Sequence, residues 1–216
     1  MIHLNLNVKS GESLKILCMG AHSDDIEIGC GGTILRLAEQ YPECEFHWVV
    51  FNAIGTRETE AKQAAQLFAG SRLKSRILKT FQDGFMPYMG SEVKAIFENE
   101  LKPLAPNVIF THNGNDAHQD HRLISQLTWN TFRDHFILEY EIPKYDGDLG
   151  RPSIFVPLDR ELCERKVGYL KEAFQSQQTK HWFQQETFLS LMRLRGMECA
   201  ASSGFAEAFY CRKLVM

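Results

Sequence analysis

The chain has 216 residues, of which 44% are hydrophobic and 24% are charged, as in ordinary soluble globular proteins. This length suits one domain with a substantial core, so we expect a single domain over residues 1–216. Lysine and arginine total 24 and aspartate and glutamate total 27, so the formal net charge of −3 argues against a nucleic-acid-binding protein. No uninterrupted apolar run approaches the ~20 residues of a membrane-spanning helix, so no transmembrane segment is expected.

The six cysteines are scattered, and no two of them have CxxC spacing. This pattern argues against a cysteine zinc site and a redox motif, and it is typical of a reducing compartment. The N-terminus lacks the basic region and apolar run of a signal peptide. We therefore expect a cytoplasmic protein; a homo-oligomer remains open.

Short apolar runs alternate with segments of helical periodicity along the chain. The predicted strands cover residues 14–19, 46–51, 76–79, 106–110, 136–142, 153–156 and 205–215. The predicted helices cover residues 33–40, 57–68, 92–101, 121–132, 162–174 and 183–194. Residues 1–9 alternate in polarity, as an edge strand or an ordered tail does, and residues 10–12 have the composition of a turn. This alternation predicts an α/β, Rossmann-like layered fold with a mainly parallel sheet flanked by helices.

A cluster of polar residues follows the first predicted strand. His22, Asp24 and Asp25 come directly after residues 14–19, where the carboxyl end of a parallel strand places a ligand site. Imidazole and carboxylate are ligands of catalytic zinc, which keeps one position for water. One carboxylate can bind the ion while the other acts as a base. The competing interpretation is a polar loop whose aspartates cap the next helix.

A second cluster follows the predicted strand 106–110. His118 and His121 are three residues apart and share a face if a helix begins there. Asp120 lies between them and could hold one imidazole in the required tautomer. Two strand ends that both carry metal-type side chains indicate one shared site. The residues alone therefore predict metal-assisted hydrolysis.

Together the two clusters resemble a known family, the LmbE-like (PIG-L) zinc-dependent de-N-acetylases. The similar segments are Ala21-His22-Ser23-Asp24-Asp25, the glycine-rich residues 29–33 and His118-Gln119-Asp120-His121-Arg122. Ser23 stands where the family usually has proline, which removes a restraint on the loop but no metal ligand. Shorter matches extend the resemblance over nearly the whole chain, at Arg57-Glu58, Asp83-Gly84, Ser176-Gln177 and residues 206–209.

The resemblance implies a hydrolase that removes the acetyl group from an N-acetylglucosamine-type sugar conjugate. His22, Asp25 and His121 would bind Zn²⁺, and the same ligands also accommodate Fe²⁺ or Co²⁺. Asp24 would be the general base that takes a proton from the attacking water, whose pKa zinc brings to about 7.

The remaining roles implied by the resemblance concern the oxyanion, the leaving group and the sugar. His118, when protonated, would stabilise the oxyanion, and Asp120 would pair with His118 or orient a metal ligand. Either Asp24 or His118 would protonate the leaving amine. Arg57 and Asp83 align with positions that meet sugar hydroxyls in relatives, although Arg57 also fits an ordinary helix start and Asp83 fits a turn.

Other residues near the motifs receive supporting roles or none. We expect His112 and Asp116 to support the loop rather than to bind metal. Glu207 either faces the site or lies on a solvated strand edge. The glycine-rich residues 29–32 lack the G-x-G-x-x-G pattern and the lysine of a phosphate-binding loop. They are expected to let the helix pack closely against the sheet.

Two alternative functions remain from the sequence. A zinc amidase would use the same site on a different amide, such as a thiol conjugate. A non-catalytic sugar-binding module would have the fold without turnover. The second alternative is disfavoured because all the expected ligands and the expected base are present in the sequence.

Overall fold

The structure is a computed structural model that describes Leu6 and residues 13–215. The predicted edge strand or tail at residues 1–9, apart from Leu6, and the predicted turn at residues 10–12 lie outside this part of the chain. The strands are β1 (Lys15–His22), β2 (Glu45–Asn52), β3 (Leu73–Leu78), β4 (Val108–His112), β5 (Phe136–Tyr140), β6 (Ile154–Leu158) and β7 (Phe205–Tyr210). The helices are α1 (Asp25–Gln40), α2 (Thr56–Ala69), α3 (Gly90–Ile96), α4 (Gln119–Thr131), α5 (Arg160–Ala173) and α6 (Gln185–Glu198).

These strands form one sheet in the order β3-β2-β1-β4-β5-β7-β6. β1 to β5 run parallel to one another, whereas β7 runs antiparallel to both β5 and β6. Successive residues of β1 face opposite sides: Ile16 and Cys18 contact one hydrophobic core, and Leu17 and Met19 contact the other. The predicted α/β fold with a mainly parallel sheet and flanking helices is confirmed. None of the described helices has the length and apolar character needed to cross a bilayer.

The strand order places both polar clusters at the same point. From β1 the chain continues to one side of the sheet, to β2 and β3, and from β4 it continues to the other side, to β5. In open α/β sheets ligands bind where the strand order reverses, outside the carboxyl ends of the two central strands. β1 ends at His22 and β4 ends at His112, so both motifs lie at this crevice.

The first helix begins earlier than the predicted start at Thr33. α1 begins at Asp25 and has a non-helical residue, Cys30 (φ −142°), three positions before the predicted start. Glu207 of β7 accepts hydrogen bonds from the backbone N–H groups of Gly32 (2.8 Å) and Thr33 (2.6 Å). These donors have lost helical partners at the kink, so the carboxylate caps the second half of the helix.

Glu207 therefore has neither of its two predicted positions. It is buried on β7, and Lys166 of α5 donates to its Oε1 atom at 2.6 Å and to the carbonyl oxygen of Ile28 at 2.7 Å. This buried ion pair ties α1 to α5 and β7. Its role is to support the helix that carries the first motif.

Some other boundaries also differ from the prediction. The last strand was predicted to reach residue 215 but ends at Tyr210, because Arg212 leaves the sheet and lies 4.6 Å from the ring centre of Trp129. The predicted helix 92–101 consists of α3 and a π-helical turn at Phe97–Leu101. The loop predicted at residues 81–90 contains a 3-10 turn at Met86–Met89.

The glycines of α1 have the predicted packing role. A Cβ atom on Gly29 would lie 2.2 Å from Cδ2 of Tyr140 in β5, and one on Gly32 would lie 2.5 Å from Cδ1 of Leu158 in β6. These separations are far below van der Waals contact. Only glycine therefore lets α1 lie this close to the sheet.

We expect the substitution Gly29→Ala to lower the free energy of unfolding by about 1–3 kcal/mol, because the buried ring of Tyr140 must move. Chemical denaturation measures the change. The matched control is Gly168→Ala in α5, where an added Cβ meets no atom within 4 Å and the helix gains roughly 0.5–1 kcal/mol of propensity. Equal effects of the two substitutions would contradict the packing explanation.

Candidate metal centre

Three side chains from the two motifs bring ligand-type atoms together at the crevice. The Nδ1 atom of His22 lies 3.2 Å from Nε2 of His121 and 3.4 Å from Oδ2 of Asp25. The remaining pair, Nε2 of His121 and Oδ2 of Asp25, is separated by 3.6 Å. The structure thus brings together the three residues that the sequence predicted as metal ligands.

The spacing and chemistry of these atoms fit a small divalent cation. Ligands at about 2.0–2.2 Å in a tetrahedron around zinc lie about 3.3–3.6 Å from one another. The separations of 3.2, 3.4 and 3.6 Å agree with this value. Two imidazole nitrogens and one carboxylate oxygen are also a typical donor set for catalytic zinc, with the fourth position left for water.

The electrostatics of the cluster also favour a cation. Burial alone raises the pKa of Asp25, but the surrounding imidazoles hold it well below its usual value. Burial lowers the pKa of His22, but the carboxylates of Asp25, Asp120 and Asp83 together hold it well above its usual value. A group of carboxylates that favours a proton on His22 also favours a metal ion in its place.

Asp116 orients the imidazole of His121. Its Oδ2 atom lies 3.0 Å from Nδ1 of His121, and both side chains are buried. Burial opposes ionisation of Asp116, yet the hydrogen bond and charge of His121 hold its pKa well below its usual value. The carboxylate thus holds a proton on Nδ1 and leaves Nε2 with its lone pair toward the cluster. The sequence interpretation considered Asp120 for this contact.

We expect Asp116→Asn to weaken metal binding by about 10–100-fold, because His121 loses the carboxylate that sets its tautomer. Competition with a chelator measures the affinity. Asp148→Asn is the matched control, since Asp148 shares the partner Lys144 with Asp116 but forms no ion pair with His121 among the described residues. An unchanged affinity in Asp116→Asn would exclude this role.

His112 lies within the cluster but has its lone pair occupied. Its ring stacks on that of His121 at 3.9 Å, and its Nε2 atom accepts a hydrogen bond from the backbone N–H of Ala21 at 2.9 Å. An imidazole nitrogen has a single lone pair, so this atom has none left for a metal ion. Burial lowers the pKa of His112 to about 4, with a further contribution from His121. His112 is therefore neutral and supports the end of β1.

Asp24 presents one paired and one unpaired oxygen. Its Oδ1 atom accepts a hydrogen bond from Nη2 of Arg57 at 2.6 Å, and its buried Oδ2 atom has no hydrogen-bond partner among the described residues. Burial raises the pKa of Asp24 despite the charge of Arg57. Although Asp24 occupies the N-cap position of α1, its side chain makes no capping hydrogen bond. The capping interpretation of this aspartate is therefore excluded.

A chain of hydrogen bonds holds Arg57 against Asp24. Nη1 of Arg57 donates to Oε2 of Glu60 at 3.0 Å. Glu60 in turn accepts from both the backbone N–H and the hydroxyl of Ser176, each at 2.7 Å. The guanidinium also lies over the ring of Phe174 at 5.4 Å. Both terminal nitrogens of the Arg57 guanidinium are therefore hydrogen-bonded within the protein, one to Asp24 and the other to Glu60.

Asp120 connects the second motif to the loop after β3. Its Oδ2 atom accepts from the backbone N–H of Gly84 at 2.7 Å, and its Oδ1 atom accepts from that of Met86 at 3.3 Å. Its Oδ2 atom also lies 3.4 Å from Nε2 of His22. Asp120 is fully buried and contacts a predicted metal ligand from outside the cluster.

His118 and Asp83 lie at the solvent side of the same cluster. Nδ1 of His118 accepts from the backbone N–H of Asp120 at 3.3 Å at the start of α4. Burial lowers the pKa of His118, and the neighbouring His121 and His22 lower it further. The lowered pKa favours a neutral imidazole, and the hydrogen bond accepted by Nδ1 leaves the ring proton on Nε2. Asp83 lies 2.9 Å from Nε2 of His22 and 3.7 Å from Nε2 of His118.

Sequence reasoning missed two features of this site. Glu60 carries no motif, although it lies three residues after Arg57 on α2 and so faces the same side. The link from Asp116 to His121 spans a turn and a helix start, which spacing alone did not reveal. The site residues that the sequence did predict all lie around the crevice.

The α/β sheet thus carries at its switch point a histidine–aspartate cluster that could hold a divalent metal ion. Residues 17–132 match the GlcNAc-PI de-N-acetylase (PIG-L) family. The chain belongs to this family of metal-dependent, hydrolytic deacetylases. The predicted family and the predicted class of enzyme are thus confirmed.

One curated relative and two solved structures are similar to this chain. The chain is 27% identical over 168 residues to the uncharacterized deacetylase YaiS of Escherichia coli K12, covering 73% of this chain and 89% of YaiS. The N,N'-diacetylchitobiose deacetylase of Pyrococcus horikoshii has a similar structure, with a TM-score of 0.72, 19% identity and coverage of 93% and 84% of the two chains. GalB of Pseudomonas putida, a 4-carboxy-2-hydroxymuconate hydratase, has a TM-score of 0.73, 16% identity and coverage of 94% and 97%. The two structural likenesses show a shared fold.

Proposed function

We propose that this protein removes the acetyl group from an N-acetylglucosamine-type sugar conjugate with the help of a bound divalent metal, Zn²⁺ in the first instance. The observation that carries the proposal is the cluster of His22, Asp25 and His121 beside the unpaired oxygen of Asp24. The family description and the chitobiose deacetylase with the same fold support an N-acetylated amino sugar as the substrate.

His22, Asp25 and His121 would hold the metal ion. When bound, the ion lowers the pKa of a coordinated water to about 7 and polarises the acetamide carbonyl. Fe²⁺ and Co²⁺ also suit these ligands, because imidazole and carboxylate do not discriminate strongly between borderline divalent ions.

Asp24 serves as the general base. Its Oδ2 atom is buried and unpaired among the described residues, so it is available to accept the proton of the attacking water. Burial raises the pKa of this carboxyl, which makes the carboxylate a stronger base at neutral pH. Arg57, held by Glu60, fixes the orientation of the second oxygen.

His118 stabilises the oxyanion as a neutral donor through its Nε2–H group, in place of the protonated imidazole expected from the sequence. Either His118 or the protonated Asp24 then passes a proton to the leaving amine. Asp83 is 68% exposed at the mouth of the site, a suitable position for contact with sugar hydroxyls. Arg57 is proposed chiefly as the partner of Asp24.

The test is an acetate-release assay with metal-loaded protein on a panel of N-acetylglucosamine conjugates with lipid, glycan and thiol carriers. We expect one acetate and one primary amine for each bond cleaved. Longer N-acyl and non-sugar amides serve as comparison substrates. Cleavage of those amides alone would favour the alternative zinc amidase.

The hydratase with the same fold adds another outcome to the assay. Hydration of a carbon–carbon double bond releases neither acetate nor amine. The absence of any amide cleavage by metal-loaded protein over the whole panel would therefore overturn the proposed deacetylation. A sugar-binding module would bind conjugates without turnover.

A further inference from the structure

Ser23 lies between His22, a proposed metal ligand, and Asp24, the proposed base, at a position where the family usually has proline. The residue is 1% exposed, and its hydroxyl donates a hydrogen bond at 3.1 Å to the backbone carbonyl oxygen of Asn52. Asn52 is the last residue of β2, the strand that lies beside β1. A buried side chain thus fastens the loop after β1 to the end of the neighbouring strand.

This hydrogen bond restrains the loop in a different way from proline. Proline fixes the backbone angle φ of its own residue, whereas the hydroxyl of Ser23 ties the side chain to another strand. The backbone N–H of Ser23 has no acceptor among the described residues, so a proline here would remove no hydrogen bond. His22 ends a β-strand, and extended backbone is what a following proline requires. The fold is therefore compatible with either restraint.

Asn52 continues the connection to the loop after β3. Its side-chain amide donates a hydrogen bond to the carbonyl oxygen of Phe81, and the backbone N–H of Phe81 donates to the carbonyl oxygen of Phe51 at 3.0 Å. Phe81 lies two residues before Asp83, the proposed sugar contact. On the far side of Asp83 the carboxylate of Asp120 holds the next backbone N–H at 2.7 Å. The segment that carries Asp83 is thus held at both ends.

We propose that Ser23 and Asn52 are positioning residues that fix the base Asp24 and the sugar contact Asp83 relative to each other. The inference rests on the proposed function, which gives those two carboxylates their roles. The hydroxyl of Ser23 holds the loop after β1, and the amide of Asn52 holds the loop after β3. Both hydrogen bonds meet at residue 52, so we call this pair of residues the Ser23–Asn52 brace.

Small displacements of these loops matter because catalysis depends on the position of the reacting groups. A misplacement of about 1 Å can lower a rate by about 10²-fold. The base and the sugar contact lie on different loops, so the two halves of the brace should affect different kinetic constants. Ser23 acts on kcat through Asp24, which works in the transition state. Asn52 acts on KM through Asp83, which contacts the bound sugar.

Ser23→Ala is expected to lower kcat and to weaken metal binding, each by about 10-fold, because His22 and Asp24 lose their common restraint. Competition with a chelator measures the metal affinity without any substrate. Ser23→Pro should restore both values to those of the wild type, because the proline ring replaces the lost restraint. Ser71→Ala, a change at an exposed serine on the turn before β3, is the control and should match the wild type.

Asn52→Ala tests the other half of the brace. The carbonyl oxygen of Phe81 loses its donor, so we expect KM to rise about 3–10-fold while kcat and metal affinity stay at wild-type values. The hydrogen bond from Ser23 survives this change, because it goes to the backbone of residue 52. Asn99→Ala, at an exposed asparagine, is the control. A fall in kcat without a rise in KM would contradict the link from Asn52 to Asp83.

The outcomes separate this inference from the proposed function. Wild-type kcat and metal affinity in Ser23→Ala would overturn the Ser23–Asn52 brace and leave the proposed deacetylation intact. A Ser23→Pro variant as impaired as Ser23→Ala would also overturn it, because either restraint should serve. A wild type that binds metal but releases no acetate would overturn the proposed function. In that case a metal affinity that falls in Ser23→Ala and returns in Ser23→Pro still supports the restraint by Ser23, and a wild type that binds no metal would overturn both proposals.

Discussion

Replacement of Asp24 by asparagine is expected to lower kcat by about 10²–10⁴-fold while the metal content is unchanged. The amide keeps the size of the side chain and can still accept a hydrogen bond from Arg57. It cannot take a proton from water, because an amide oxygen is a far weaker base than a carboxylate. KM should change little, since Asp24 is not among the proposed sugar contacts.

The experiment combines steady-state kinetics with elemental analysis of the same preparation. Asp159→Asn is the matched control, because Asp159 is also an N-cap aspartate, at the start of α5, where asparagine caps equally well. This control should have wild-type kcat and metal content. An unchanged kcat in Asp24→Asn would exclude Asp24 as the base, and loss of metal together with activity would show instead that Asp24 helps to bind the ion.

Removal of either imidazole from the first cluster is expected to abolish metal binding and turnover together. His22→Ala and His121→Ala each leave two of the three proposed ligands. Because the ligands come from two distant segments of the chain, one ion lost in both variants would show that β1 and β4 contribute to one site. Elemental analysis should give about one ion per chain in the wild type and none in either variant.

His181→Ala is the control for these variants, because His181 is exposed and lies outside the cluster. Its metal content and activity should equal those of the wild type. Circular dichroism establishes that each variant is folded before its metal is counted. Folded His22→Ala or His121→Ala protein with wild-type metal content would overturn the proposed ligand set.

The α/β architecture was predictable because it depends on local patterns. Buried strands such as β1 are short apolar runs, and α2 repeats its apolar residues at helical spacing. The family motifs were also readable from the sequence, because His22, Asp24 and Asp25 follow one strand closely and His118 and His121 follow another. Ligand chemistry depends on residue type, which the sequence states directly.

The boundaries of α1 illustrate what local patterns do not determine. The glycines at positions 29, 31 and 32 lower helix propensity, so the predicted helix began only at Thr33. In the structure α1 begins at Asp25, and the buried pair of Glu207 and Lys166 supports its kink. Glu207 lies on the last strand, so contacts across the fold overcome a weak local preference.

The partners within the site also depended on the tertiary structure. Spacing suggested Asp120 as the partner of an imidazole. In the structure Asp116 contacts His121, whereas Asp120 contacts the loop after β3 and lies 3.4 Å from Nε2 of His22. For Arg57 the sequence allowed either a sugar contact or an ordinary charge at a helix start, and in the structure this side chain donates to Asp24. These contacts depend on how loops from separate strands meet at one edge of the sheet, which no local pattern encodes.

The sequence by itself thus determined the fold class through its periodicity, the chemical type of the site through the residues present, and the family through the resemblance of its motifs. Only the tertiary structure decided which side chains meet. The sheet order places β1 beside β4, and that neighbourhood sets the distances among His22, Asp25 and His121. Strand order is a property of long-range packing, and distances of a few ångströms between distant segments arise only when the whole sheet has formed.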